Sequence, residues 1–168
     1  MKSIAMFRNA IVLAALGASA GLALAAGSKD TSIGVSASVA SNCLVSTAST
    51  GLGFGVYDPL AADDNVASTT FKVKCSKNAG YTIGLSKGGG AAEDARKMAL
   101  SGQLAMNYAI YSDSNRTTNW GATAGTAGGI GSGLDTENTV TVYGKIPKNQ
   151  YDVGVGAYAD TVIATVSY

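Results

Sequence analysis

The chain has 168 residues, with 12 Lys and Arg against 11 Asp and Glu and a formal net charge of +1. This even balance offers no basic field for nucleic acid and no polybasic segment for a membrane surface. With no histidine and only two cysteines, a Ser–His–Asp or Cys–His nucleophile and a zinc site are ruled out, and no cofactor is expected.

The first residues read as an export signal. Lys2 and Arg8 give a basic start, residues 10–24 are apolar and small, and Ala23 and Ala25 form an A-x-A cleavage site. A membrane span needs about 20 strongly apolar residues, and this stretch is shorter and diluted with Gly and Ser. Residues 1–25 are therefore expected to be removed, leaving one domain's length of near-neutral chain.

Next comes "TSIGVSASVA" (31–40), which alternates Ile33, Val35, Ala37 and Val39 with small or polar residues. It reads as a β-strand with one apolar face. Only three residues, 40–42, separate Val39 from Cys43. Cys43 and Cys75 lie in a chain bound for an oxidising compartment and read as a disulfide, worth about 3–4 kcal/mol by loop-closure entropy. Two buried free thiols are the alternative.

Period-two patterns then recur. Phe71, Val73 and Cys75 alternate in "TFKVKC", and Tyr81, Ile83 and Leu85 in "YTIGL". Residues 91–100 ("AAEDARKMAL") read as one helical turn. Leu104, Met106, Tyr108 and Ile110 line one face of "LAMNYAIY". Val140, Val142 and Ile146 do so in "TVTVYGKI", and Val162, Ala164, Val166 and Tyr168 in "DTVIATVSY". Turn-rich pieces lie between them, and the glycine-rich run 121–133 reads as a flexible surface loop. Short strands with such punctuation indicate an antiparallel sandwich.

The acidic pairs Asp63–Asp64 and Glu93–Asp94 have the composition of paired carboxylates for glycoside hydrolysis. Adjacent acids in Gly- and Ala-rich loops are far more often solvated turn residues, and "ADDN" lacks the spacing of a calcium loop. Trp120, beside the glycine-rich run, has two readings: a packing residue or a platform for a sugar.

Both ends of the chain are odd. "TVIATVSY" is strand to Tyr168, where an immunoglobulin-like sandwich would continue through a hairpin into a final strand. An uncovered edge there would expose unpaired backbone and bare core. One strand lacks a sheet, and one sheet lacks a strand. The sequence leaves open whether the two pair within one molecule. The short link after residue 39 favours a segment that projects and enters another molecule by β-strand addition, a contact that does not close and so builds a filament.

In "FGVYD" (54–58), "ARKMAL" (95–100), "MNYAIYSD" (106–113), "NWG" (119–121), "TVYGKIP" (141–147) and "VGAYADTVIATVSY" (155–168), the chain resembles the spore coat protein U domain family, which includes subunits of archaic chaperone–usher pili. The resemblance spans essentially all of the mature chain. It implies an all-β, incomplete immunoglobulin-like antiparallel sandwich lacking its last strand, completed by a donor strand from a neighbouring subunit. Residues 26–40 would be the donor segment, with Ile33, Val35, Ala37 and Val39 entering the neighbour, and 41–168 the pilin domain. Ala37 is small for such a role, so its pocket would be shallow. Cys43–Cys75 would be the disulfide, and Tyr168 would carry the carboxylate gripped by a periplasmic chaperone. The implied partners are like subunits, that chaperone, an outer-membrane usher and a tip adhesin. With room for one domain, the chain resembles a shaft subunit exported to the cell surface, supporting adhesion and biofilm formation, rather than an enzyme. The alternatives are a secreted spore-coat or matrix protein, or a self-complete carbohydrate-binding module.

Overall fold

The computed structural model describes residues 27–123 and 127–168. The expected signal at 1–25 lies outside the described residues. The chain divides into a leading segment that ends at Ala37 and a compact body that begins at Ser38.

Among the described residues the body holds eight strands: β1 (Cys43–Thr47), β2 (Asn65–Cys75), β3 (Gly80–Leu85), β4 (Arg96–Leu100), β5 (Gln103–Tyr111), β6 (Ala127–Ile130), β7 (Asn138–Ile146) and β8 (Ala164–Ser167). They form a five-stranded sheet in the order β1-β2-β7-β5-β4 and a three-stranded sheet in the order β6-β3-β8. Every ladder in both is antiparallel. Period-two patterning places Phe71, Val73, Val140, Val142, Ile146, Met106, Tyr108 and Ile110 on the inner face of the large sheet, against Ile83 and Leu85 of the small one. This is the expected all-β sandwich, with its core between the two layers.

Cys43 and Cys75 are joined by a disulfide. They are also register partners at one end of the β1–β2 pair, so the bond pins the start of β1 to the end of β2. Asn42, one residue earlier, is held as well. Ser76 donates its amide to the Asn42 carbonyl at 2.8 Å, and the Asn42 amide donates to Ser76 Oγ at 3.1 Å.

Two expectations are corrected. Residues 91–100 hold no helical turn. Arg96–Leu100 is a strand paired with β5, and the two are joined through Ser101 and Gly102, both at positive φ (49° and 83°). Two left-handed residues in succession make the hairpin turn that matches strand twist, and the Ser-Gly pair between Met98 and Met106 was its signal. Second, the glycine-rich run is not a plain loop. Ala127–Ile130 pairs with β3 along its whole length. Gly129 faces the Tyr81 ring so closely that an added Cβ would lie 3.2 Å from its hydroxyl, so the missing side chains are what let this strand approach. The apolar-alternating segment 31–39 pairs with no strand among the described residues. Ile33, Val35 and Val39 are 82%, 91% and 93% exposed.

Candidate functional site: an open groove beside the last strand

β8 bonds β3 on one side, from Thr82↔Ser167 to Leu85↔Ala164. Among the described residues no strand pairs its other edge. Along that edge the sandwich is open. The floor of the opening is core: Phe71 of β2, Val142 and Ile146 of β7, Met106, Tyr108 and Ile110 of β5, and Met98 of β4. One wall is the segment Leu52–Phe54, and the other runs from Val153 through Tyr158 and Val162 to Ala164. Two joined compartments fill the trench, one of about 580 Å³ toward Val153 and one of about 530 Å³ toward Ala164, with Leu52, Met98 and Tyr158 lining both.

Each wall is fixed by polar bonds that leave its apolar side free. Asn65 Nδ2 donates to the carbonyls of Phe54 and Val56, both at 3.1 Å. The Tyr57 hydroxyl donates to the Pro147 carbonyl at 2.9 Å and accepts from the Gln150 amide at 3.1 Å. Gly144 of β7 allows the first wall to lie close, since a Cβ there would meet Leu52 and Phe54 side-chain carbons at 2.6 and 2.7 Å. On the second wall, Ala159 exchanges backbone hydrogen bonds with Ala99 of β4 (2.8 and 3.0 Å), and Ile163 is tied to Ser86 by its amide and carbonyl, both at 2.9 Å.

Among the described residues, Asp160 is the one acid lining the trench. Its Oδ2 accepts from the Tyr108 hydroxyl at 2.5 Å, and its Oδ1 accepts from the amides of Gly89 (2.9 Å) and Thr161 (2.7 Å). Burial, followed by the bond to Asp160, pushes the Tyr108 phenol well above its ordinary pKa. The phenol therefore stays protonated and donates. The carboxylate is satisfied by these bonds and staples the second wall to both β5 and the β3–β4 connection.

A trench with an apolar floor and one unbonded strand edge is shaped for an extended chain. Such a chain would bond the edge of β8 with its backbone and drop alternate side chains between the walls. That chemistry asks for a segment patterned like 31–39.

The residues singled out from sequence fall in different places. Ile33, Val35, Ala37 and Val39 are exposed on the leading segment, Cys43 and Cys75 fix the base from which it leaves the body, and Tyr168 is 60% exposed just past β8. Asp64 is a structural acid: it accepts from the Lys148 amide at 3.0 Å and pairs with Lys145 at 3.4 Å, and the Lys148 bond leads in lowering its pKa. Glu93 accepts from the Ala122 amide at 2.9 Å. Trp120 is wholly buried and donates Nε1–H to the Ile83 carbonyl at 2.8 Å, so it packs the core and offers no face to a sugar. Sequence reasoning missed the groove lining. Its signal was present in "FGVYD" and "VGAYAD", apolar stretches without a strand's alternation.

The Spore Coat Protein U domain profile matches residues 29–165. The chain belongs to the spore coat protein U domain family. No curated protein sequence matches it. Among solved structures, this family member is similar to a chain in the crystal structure of the CsuC–CsuE chaperone–tip adhesion subunit pre-assembly complex from the archaic chaperone–usher Csu pili of Acinetobacter baumannii. The identity is 20% and the TM-score 0.54, covering 77% of this chain and 40% of that one. At that identity the likeness speaks for the fold: an immunoglobulin-like sandwich, incomplete along β8.

Proposed function

We propose that this spore coat U-type protein is a shaft subunit of a chaperone–usher pilus, polymerising when residues 31–39 of one copy enter the β8 groove of the next. The observation that carries the reading is the pairing of an open apolar trench with an exposed, alternately apolar segment. Burial of Ile33, Val35 and Val39 at about 1.5–3 kcal/mol each gives about 5–9 kcal/mol per joint before any backbone pairing. Before assembly a periplasmic chaperone would fill the trench and grip the Tyr168 carboxylate, and an outer-membrane usher would exchange its strand for the next subunit's. A tip adhesin would begin the filament, which would stand on the cell surface and serve adhesion and biofilm formation. The likeness to a solved chaperone–subunit complex and the family membership support this assignment. The family name admits a second assembly, a spore coat or surface matrix, and neighbouring genes for a chaperone and an usher decide for the pilus.

On an unheated gel the mature chain should run as a ladder that collapses to one band on boiling. Ile33→Asp should abolish the ladder, because a carboxylate would have to enter an apolar pocket unpaired. A ladder that survives this substitution removes the mechanism.

A further inference from the structure

We infer that neighbouring subunits also meet body to body, with Lys77 of the donating copy seated between Asp58 and Asp152 at one mouth of the acceptor's groove. The inference rests on the reading above and adds a contact that the donor strand does not make.

Every ladder among the described residues is antiparallel, including the one β8 makes with β3, and antiparallel pairing is slightly the more stable per residue. A donor lying antiparallel to β8 has its C-terminal residue, Val39, at the Val153 end of the trench. That end is the compartment of about 580 Å³ lined by Val56, Pro59, Val153 and Val155. Val56 and Val155 are fully solvated in the single chain, at 93% and 106% exposure, so the mouth is an apolar collar with nothing over it.

Reach comes next. Asn42 is locked onto Ser76 by the bonds described above, so the donor leaves its own body at the turn carrying Lys77. Three Cα steps separate Val39 from Asn42, which spans at most about 11 Å. Once Val39 occupies the mouth, the donating copy's exposed turn must stand beside it.

Charge decides which groups meet there. Asp58 lies between the lining residues Tyr57 and Pro59, and Asp152 directly precedes Val153; both acids are exposed. Lys77 is exposed on the opposing turn. Opposite charges brought within a Debye length of about 8–10 Å hasten encounter and fix orientation more than they add affinity.

The test follows the unheated-gel ladder over time as mature chain is diluted out of denaturant at low ionic strength. Lys77→Glu should slow joining by about three- to tenfold. The triple variant Lys77→Glu/Asp58→Lys/Asp152→Lys should return it to the wild-type rate. A synthetic peptide of residues 31–39, which lacks Lys77, should block ladders of the wild type and of Lys77→Glu at the same concentration. Equal joining rates for wild type and Lys77→Glu overturn the body contact while leaving strand exchange standing, as does failure of the triple variant to recover. A peptide that blocks neither protein overturns strand exchange and this contact with it.

Discussion

The core of this domain is finished on one side and unfinished on the other. Around Trp120 the core is closed. Arg96, wholly buried, donates to the carbonyls of Leu85 (3.2 Å), Ser86 (2.8 and 3.1 Å), Glu93 (2.6 Å) and Trp120 (2.7 Å), and at 3.4 Å to Asn119 Oδ1. Burial lowers the guanidinium pKa, while Tyr108, Glu93 and Asp160 act to raise it. A planar fork of donors among fixed carbonyls ties β3, β4 and the approach to Trp120 into one unit. Beside β8 the same two sheets part, and Met98, Tyr108 and Val162 wait at a trench with no strand over it. The difference suggests a division of labour. A groove with apolar walls keeps its shape while empty only if the rest of the core is rigid, and a preformed groove spares the incoming strand part of the ordering cost of binding.

The largest effect expected from breaking this contrast is at Arg96. Arg96→Ala strands several buried carbonyls and should cost about 3–5 kcal/mol in chemical unfolding of the peptide-filled chain. Trp120, the only tryptophan, reports it by fluorescence.

Matched truncations on the two sides sharpen the contrast. Ile83, at 0% exposure on the closed side, should lose about 2–5 kcal/mol as Ile83→Ala. Phe54, half-buried on the groove wall and edge-on to Tyr108 with ring centroids 6.5 Å apart, should behave differently. Phe54→Ala should leave the body's unfolding nearly unchanged yet weaken capture of the 31–39 peptide at least tenfold, measured by peptide titration. Equal stability losses at both positions would mean that the groove wall is ordinary core.

The smallest effect lies in the turn that delivers Trp120. Asp113 accepts from the Thr118 amide at 2.7 Å and from the Thr117 amide and hydroxyl at 2.9–3.1 Å. These bonds, Thr118 first, hold its pKa at about 2 against an ordinary 3.8. A depressed folded-state value means that its stabilisation is complete above about pH 4 and is lost as pH falls through about 2. Asp113→Asn should change neutral stability less than Arg96→Ala or Ile83→Ala and flatten this part of the acid unfolding curve. An acid limb identical to wild type would show that the turn does not depend on the charge.

Much of this division was legible in the sequence. Alternation in "TFKVKC", "YTIGL" and "TVTVYGKI" gave strands where the structure has them, because one face of each meets the core. The helical turn expected at 91–100 failed because the helix propensity of Ala, Glu and Lys is overridden by tertiary context, here the Ser101–Gly102 turn and the pairing to β5. The Gly-rich strand β6 was unreadable because its pairing rests on backbone and on side chains it lacks. The groove could be sensed as a missing partner for "TVIATVSY". Its walls could not, since Phe54 is held by a tertiary hydrogen bond from Asn65, and the second wall by those of Ala159 with Ala99 and Ile163 with Ser86, rather than by any local period.

The central claim is that residues 31–39 fit the trench beside β8, and it is tested most directly by moving them. Residues 26–39 are deleted, and a second copy of 31–39 is attached after Tyr168 through a short turn linker, able to fold back antiparallel along β8. The account predicts a monomer that gives no ladder, unfolds cooperatively and is more stable than the mature chain. A protein that still aggregates, or that still joins copy to copy, would contradict it.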